Sequence, residues 1–336
     1  MSTIRKKVCL VPVKNEAWIL NIFLESTSLW ADHIIILDQN STDESVEIAS
    51  RFEKVVLFHN TSNSYNELER QRFLIQKSRE LFGLNTILFA LDADEILANC
   101  HNNPDWDKLL ALPAGTAVYL PWLNVLPGNK TYFNSVSGRN VFAYIEDGRQ
   151  HFGTEMHSPR VPVYSPEETV FIESIKVLHY QFSVRDRQLS KHRWYECLEK
   201  IKYPEKDTID LYRVYHHIDI PPKEVIEIPA SWYSNYAENG VHLLQIADDN
   251  NHWWDKEVCA LLKEKGPVAF KKQFIWYVDW DAVDKKYNGS NALGNIGDPR
   301  SLLDKAVHKW LKASQDDFRS FPNRVIGKIF RTAGWR

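Results

Sequence analysis

The chain has 336 residues, of which 44% are hydrophobic and 25% charged, and these ordinary globular values exclude a disordered chain. Its formal net charge of −3 gives no electrostatic reason to expect nucleic acid as a partner. No apolar stretch approaches the roughly 18 residues needed to cross a bilayer, and the four cysteines form no CxxC pair. We therefore expect a folded protein of one or two domains in the reducing cytoplasm.

The first hundred residues alternate between short β-like runs and longer helical ones. We predict strands at residues 8–13, 33–37, 55–59 and 86–91, and helices at 16–30, 43–51 and 66–82. Ser41 and Thr42 are candidate caps of the second helix. Because the strands are continuous apolar runs separated by helices, the pattern predicts an α/β sandwich around a mostly parallel sheet.

The pattern is less regular after residue 100. We predict strands at residues 116–126 and 141–146, joined by a Gly, Asn and Ser-rich segment at 127–140, and a further strand at 174–178. The predicted domains are 1–200 and a mainly helical, aromatic-rich region at 201–336. We expect most of its aromatic side chains to pack in a core, although some could stack on a sugar acceptor.

Three carboxylates follow the fourth predicted strand directly, at Asp92, Asp94 and Glu95. Like charges this close repel one another, and a hard divalent cation is the commonest way to make such a cluster favourable. The sequence therefore predicts a metal site at the carboxyl end of a buried strand.

Polar residues also follow the first two predicted strands. Asn15 and Glu16 come after the first, and Asp38 after the second. Ligands of open α/β sheets bind outside the carboxyl ends of the strands, so these residues are candidates for one site. Asn15 and Glu16 could equally form only a turn that leads into a helix. Asp38 ends an apolar run and needs a partner.

These segments resemble a known family. The runs VPVKNE at 11–16, LDQNSTD at 37–43 and LDADE at 91–95 are similar in order and spacing to the motifs of family 2 glycosyltransferases of GT-A fold. The resemblance covers roughly residues 7 to 200. It implies an inverting enzyme that uses Mn²⁺ or Mg²⁺ to move a sugar from a nucleotide-diphosphate sugar to a hydroxyl of a glycan or lipid-linked glycan.

The resemblance also implies roles for individual residues. Asp94 would bind the metal directly, Asp92 would contact the ribose or the metal through water, and His179 would be a third ligand. The candidate nucleotide-sugar contacts are Pro12, Val13, Asn15, Glu16, Asp38, Arg70, Arg72, Asp92, Ala93, Lys191 and Arg193. Arg70 and Arg72 could also be a solvated helix face, as could the basic run around Lys191, and His179 could be a hydrogen-bonded core residue.

An inverting transferase needs a carboxylate that takes the proton of the acceptor hydroxyl. Glu155 is the first candidate and Asp147 the second. Relatives often carry a glutamate directly after a histidine, whereas Ser158 follows His157 here, so the identity of the base is open. Glu155 could instead be a loop acid paired with a nearby arginine, Arg149 or Arg160.

Residues 318–336 interleave apolar and basic side chains. A helix of this type can lie on an anionic membrane, where a lipid-linked acceptor would be found, or dock its apolar face on the protein. Two other functions stay open for the chain. One is a sugar-nucleotide nucleotidyltransferase, although only Lys14 is present and no Gly-rich phosphate loop. The other is a noncatalytic carbohydrate-binding or scaffold protein.

Overall fold

The computed structural model describes residues 4–62, 65–98, 100, 103–246, 252–289 and 296–335. The chain divides into two compact units. The first contains residues 1–184 and 224–249, and the second contains residues 185–223 and 250–336. This division differs from the predicted boundary at residue 200, because a segment late in the chain returns to the first unit.

One sheet forms the centre of the first unit. The described residues contribute strands β1 Lys6–Val13, β2 His33–Asp38, β3 Val55–His59, β4 Thr86–Ala90, β5 Glu95–Ala98, β6 Ala117–Val125, β7 Thr131–Ile145, β8 Thr169–Phe171, β9 Lys176–His179 and β10 Ile226–Glu227. Their order is β3-β2-β1-β4-β7-β6-β9-β5, with β10 beside β7 and β8 beside β6. Strands β1 to β4 are parallel, and β7 joins β4 in the antiparallel direction.

Helices cover this sheet and make up most of the second unit. They are α1 Ala17–Ser28, α2 Ser45–Ala49, α3 Glu67–Phe82, α4 Pro104–Leu110, α5 Arg185–Lys202, α6 Thr208–Tyr215, α7 Ser234–Glu238, α8 Trp253–Lys265, α9 Trp280–Asn288, α10 Leu302–Ala313 and α11 Phe321–Thr332. The predicted α/β class and helical C-terminal region are confirmed.

Strand β1 shows why its sequence is apolar throughout. Cys9 and Val11 belong to the core cluster that contains α1, whereas Val8 and Leu10 belong to the cluster that contains Leu74 of α3. Side chains alternate across a strand, so a strand with a helix on each face must be apolar at every position. Helices α1 and α3 therefore cover opposite faces of the sheet.

Two local predictions are wrong. The segment predicted as a connection at 127–140 is mostly strand, because the left-handed residues of the turn, Gly128 and Asn129, lie at its start and β7 begins at Thr131. Ser41 and Thr42 do not cap α2, whose N-cap is Glu44 without a side-chain hydrogen bond.

Residues 224–249 complete the first unit. Strand β10 pairs with β7 through Ile226 and Tyr132. The Tyr236 side chain is only 1% exposed, and its hydroxyl donates to the carbonyl of Leu97. This segment therefore supplies both a strand and a buried aromatic anchor to the sheet.

The aromatic-rich C-terminal third is largely core, as predicted. The buried aromatic residues include Tyr212, Tyr215, Trp253, Trp254, Trp276 and Trp280. All four cysteines of the chain are buried and free, which agrees with the absence of a disulfide pattern in the sequence. Of the helices in the described ranges, none is long and apolar enough to span a membrane.

A buried charge cluster lies inside the second unit. His216 Nε2 is 2.8 Å from Glu196 Oε1, and its Nδ1 is 3.1 Å from Asp219 Oδ2. Burial alone would lower the pKa of His216, but the two carboxylates raise it to about 9. The imidazole is therefore a buried cation at neutral pH.

We predict that this cluster makes stability fall in alkaline solution. The folded pKa of His216 lies above the unfolded value near 6.5, so its contribution is complete below that value and is lost as the pH rises through 9. The loss is at most about 3 kcal/mol. Urea unfolding at several pH values should show this decline in the wild type and a smaller one in His216→Gln.

The exposed His242 provides a matched control. His242→Gln should keep the alkaline decline of the wild type. An identical pH profile in His216→Gln and the wild type would contradict the assignment.

Candidate functional site

The turns after β1 and β2 are bonded to each other. Asn15 has a left-handed backbone with φ of 55°, a conformation that asparagine tolerates better than most residues. Its amide donates to Ser41 Oγ at 2.9 Å, and its Oδ1 accepts from the amide of Thr42 at 2.7 Å. Ser41, predicted to cap a helix, instead ties two strand ends together.

Asp38 lies beside this turn and is 4% exposed. It pairs with Val13 in the β1–β2 register. Its carboxylate accepts from the amide of Ser41 at 3.2 Å, and His59 Nδ1 lies 3.4 Å from Oδ2. Asp38 therefore has the partners that the sequence analysis expected, namely Ser41 and His59. These contacts fix the carboxylate at the edge of the sheet.

The acidic cluster forms the turn between β4 and β5. The amide of Asp92 donates to Glu95 Oε2 at 2.9 Å, and the amide of Glu95 donates to the carbonyl of Asp92 at 3.0 Å. The carbonyl of Asp94 accepts from the amide of Tyr180 at 2.8 Å. These bonds fix the backbone of the turn from which the three carboxylates project.

Arg160 provides a positive charge within this acidic cluster. Its Nη2 donates to Asp92 Oδ2 at 2.8 Å and to Glu95 Oε1 at 2.9 Å, and Nη1 donates to Glu95 Oε2. Burial raises the pKa of Glu95, and the contact with Arg160 opposes that rise. Burial alone would lower the pKa of Arg160, but Asp92 and Glu95 raise it. An arginine therefore balances two of the three acids that predicted a metal.

Asp94 points to a different partner. Its Oδ2 lies 3.7 Å from His179 Nε2. His179 Nδ1 is 3.0 Å from Asn124 Oδ1, and the ring stacks on Trp122 with centroids 4.8 Å apart. With Nδ1 engaged by the Asn124 oxygen, the ring directs Nε2 toward Asp94.

This pair fits a divalent cation in part. A carboxylate and a neutral imidazole whose other nitrogen is held by a hydrogen bond form a usual donor set. Among the described residues no group of three His, Cys, Asp or Glu side chains could hold a metal ion. Of the predicted ligands, the structure brings Asp94 and His179 together, whereas Asp92 pairs with Arg160.

Helix α3 holds the segment 146–160 in place along its length. Arg79 donates to the carbonyl of Arg149 at 2.6 Å, and Arg72 donates to the carbonyl of His151 at 2.9 Å. Near the start of the helix, the amide of Glu67 donates to the carbonyl of Glu155 at 2.9 Å. The exposed side chain of Glu155 is thereby carried to the N-terminal end of α3.

Asp147 does not fit the role of a catalytic base. It follows β7 where that strand pairs with the start of β4, since Ile145 lies opposite Ile87. Asp92 is at the other end of β4, about 20 Å away at the rise of a β-strand. Burial would raise the pKa of Asp147, but hydrogen bonds from Tyr144 and Arg149 lower it. Asp147 is therefore a structural acid.

The predicted arginines have different environments. Arg72 uses its Nε to hold His151, whereas the Arg70 guanidinium lies over the ring of Tyr65 at 5.2 Å. Arg193 is a buried residue of the second unit and donates to both oxygens of Asp255, at 2.8 and 2.6 Å. The guanidinium of Arg193 is thus engaged in an internal salt bridge and is not presented to a diphosphate.

The remaining candidates are placed as follows. Lys191 belongs to α5 of the second unit, with its Nζ 5.7 Å from the Trp254 ring centroid. Pro12 is in β1, and Ala93 is buried in the acidic turn.

Three residues of the site carried no recognised role in the sequence. Arg160 was only a candidate partner of Glu155, and nothing singled out Trp122 or Asn124. Their signal is long-range, because the β6–β9 register pairs Asn124 with His179 and cannot be read from either segment alone. Arg160 is the arginine closest in sequence to Glu155, and it could have been considered as a partner of the acidic cluster on that ground.

Solved structures offer only distant likenesses. Glucosyl-3-phosphoglycerate synthase from Mycobacterium tuberculosis, in complex with Mn²⁺, UDP and glucosyl-3-phosphoglycerate, is 20% identical with a TM-score of 0.25, over 36% of this chain and 44% of that one. Its complex with Mg²⁺ and UDP is 19% identical with a TM-score of 0.25 and the same coverage. The match thus spans less than half of that synthase.

A second kind of enzyme is similarly distant. 4-Diphosphocytidyl-2C-methyl-D-erythritol synthase is 13% identical with a TM-score of 0.28, over 42% of this chain and 75% of that one. None of these likenesses is close enough to transfer a function.

Among curated proteins no sequence matches the chain significantly. Residues 8–98 match the sequence family described as glycosyl transferase family 2. This stretch contains β1 to β5 with Asn15, Asp38 and the acidic turn. In these residues the chain is similar to glycosyl transferase family 2, as the resemblance of its motifs implied.

Proposed function

We propose that the chain is an inverting, metal-dependent glycosyltransferase that moves a sugar from a nucleotide-diphosphate sugar to a hydroxyl of a glycan or lipid-linked glycan. The observation that carries this proposal is the convergence of Asp94 and His179 at 3.7 Å, next to strand ends that match a glycosyltransferase family. Two ligands from the protein leave coordination positions for diphosphate oxygens, which is the usual way Mg²⁺ is held at phosphate sites.

Each residue of the proposed site has a physical reason for its role. The contact with Asn124 holds the His179 ring with Nε2 toward Asp94. Asp38 accepts hydrogen bonds from the ribose or base, beside the fixed turn of Asn15. A bound Mn²⁺ or Mg²⁺ would neutralise the charge that builds on the diphosphate leaving group. Arg70 and Arg72 of α3 are the proposed phosphate contacts.

Glu155 is the proposed general base. Its side chain is exposed, and its backbone carbonyl accepts from the amide of Glu67 at the start of α3. An exposed carboxylate at the edge of the sheet can accept a proton from an acceptor hydroxyl. Asp147 is excluded from this role by its distance from Asp92.

The other functions are less well supported. A nucleotidyltransferase has no Gly-rich phosphate loop to use here, since the first turn contains no glycine in 11–16. A noncatalytic scaffold would have no use for an imidazole oriented toward Asp94. The observation that favours an enzyme over the scaffold is the Asn124–His179–Asp94 series.

The same proposal includes contact with a membrane surface through residues 318–336. Phe321, Val325 and Ile329 are 78%, 43% and 59% exposed and recur every four residues along α11. The opposite face of the helix is docked within its own unit, since Gly327 is buried and Arg331 donates to Asp207 at 2.7 Å. The free face combines these apolar residues with exposed Arg324 and Lys328, which suits an anionic lipid surface.

The first experiment is a thermal-shift panel of UDP, GDP, CDP and dTDP, each with and without Mn²⁺. A ligand that binds the native state raises its stability by mass action, so a metal-dependent shift is expected for one base. The absence of a shift with every nucleotide would favour the scaffold function.

We predict that Asp94→Asn lowers kcat by on the order of 10³-fold, because it removes a ligand of the ion that stabilises the leaving group. The unfolding temperature should change little. Asp107→Asn, at an exposed acid of α4 in the same unit, is the matched control and should retain full activity. Full transfer by Asp94→Asn would refute the metal assignment.

We predict that Arg160→Met lowers the free energy of unfolding by about 3 kcal/mol, because it leaves two carboxylates without a counter-charge. Glu95→Gln in the same chain should restore part of the loss, a coupling that a double-mutant cycle in urea measures. Arg51→Met, at an exposed arginine, should be neutral. If Arg160→Met lowers the free energy of unfolding equally in the wild type and in Glu95→Gln, the Arg160 and Glu95 side chains do not interact.

We predict that the chain sediments with vesicles that contain phosphatidylglycerol. Replacing Phe321, Val325 and Ile329 by serine should weaken this binding by on the order of a hundredfold, since three apolar side chains lose their lipid contact. Leu302→Ser with Leu303→Ser, at exposed positions of α10, is the control. Undiminished binding of the triple variant, or none by the wild type, would rule out the membrane contact.

A further inference from the structure

A cavity of about 310 Å³ opens on the first unit at the edge formed by β6, β7 and β8. Its walls include Tyr119 of β6, Arg139 of β7 and Phe171 of β8, together with Tyr164 of the segment that follows Arg160. Phe171 is 44% exposed and Tyr164 is 37% exposed. The cavity therefore presents aromatic side chains to solvent.

Arg139 lies between two of these rings. Its guanidinium carbon is 5.6 Å from the ring centroid of Tyr119 and 5.1 Å from that of Phe171. Within the part of the chain that the structure describes, no carboxylate or hydrogen-bond acceptor contacts this guanidinium. The rings lie beside the planar group, and its N–H donors stay available to a ligand.

The pairing of β4, β7 and β6 shows that the cavity lies near the acidic turn. Phe89 of β4 pairs with Ala143 of β7, so Val141 falls level with Leu91, the residue before Asp92. Val141 pairs in turn with Tyr119 of β6. Two strand spacings make the distance from β4 to β6 about 10 Å. The cavity thus lies on the same edge of the sheet as the acidic turn, two strands away from it.

Its chemistry indicates the class of ligand. The carbon-bound hydrogens of a sugar ring pack on aromatic faces. A guanidinium without an internal partner binds a carboxylate or a phosphate through two parallel hydrogen bonds. The volume is at the lower end of the range for small-ligand pockets, which suits a single sugar ring that bears one anionic group.

We propose that this cavity is an acceptor subsite for an anionic sugar, in which Arg139 binds the carboxylate or phosphate and the surrounding rings stack on the sugar. The proposal rests on the proposed glycosyltransferase function, because it names the class of acceptor for that reaction. It makes Arg139 a determinant of acceptor specificity and gives it no part in donor binding.

The test uses the full chain and three probes: glucuronate, glucose 6-phosphate and glucose. Dissociation constants from ligand-observed NMR titrations should be at least tenfold lower for one or both anionic probes than for glucose. The two anionic probes distinguish a carboxylate from a phosphate. Arg139→Gln should abolish the preference, while Arg51→Gln, at an exposed arginine of the same unit, should retain it.

A second variant separates stacking from charge. Phe171→Leu should weaken the binding of all three probes, because it removes a ring and leaves the guanidinium. The proposal is overturned if the wild type does not prefer an anionic probe, or if Arg139→Gln keeps the preference.

Failure of this proposal can be told apart from failure of the proposed function. The nucleotide thermal shifts should be the same in Arg139→Gln and the wild type. A metal-dependent nucleotide shift combined with no anionic preference would overturn the subsite alone. An Arg139-dependent preference without any nucleotide shift would overturn the transferase and leave an anionic-sugar site.

Discussion

The pairing of Arg160 with Asp92 and Glu95 is the constraint on which the site depends. Glu95 is fully buried at the start of β5, and a buried carboxylate is tolerated only with a partner. The arginine that provides this partner comes from the segment tied to α3. One ion pair therefore fixes the acidic turn, the start of β5 and the end of that segment, and it leaves Asp94 to be directed toward His179.

This arrangement gives the three acids different physical roles. Glu95 is structural because it is buried against Arg160. Asp92 also contacts Arg160 but is only partly buried, and Asp94 is oriented toward His179 for a ligand. The number of acids in this short segment does not show which of the three has which role. Position relative to Arg160 and His179 does, and both of these residues come from parts of the chain more than sixty positions away.

The sequence was a good guide where the signal is local. The apolar runs of β1 to β4 located the parallel half of the sheet, and the acids after β2 and β4 were found at its edge. It was a poor guide where the signal depends on pairing. The start of β7 was missed because Ser135 and Gly138 resemble turn residues, and Asp147 was placed with the catalytic acids because its side of the sheet is set by the β4–β7 register.

The return of residues 224–249 to the first unit has a consequence for synthesis of the protein. Tyr236 and β10 complete a sheet that begins at Lys6, so a ribosome must translate past Tyr236 before that sheet is complete. Residues 185–223 of the second unit are synthesised earlier, before the first unit is complete. Chains that are interrupted in this interval lack the Tyr236 hydroxyl that donates to the Leu97 carbonyl, and an incomplete sheet of this kind is prone to aggregation.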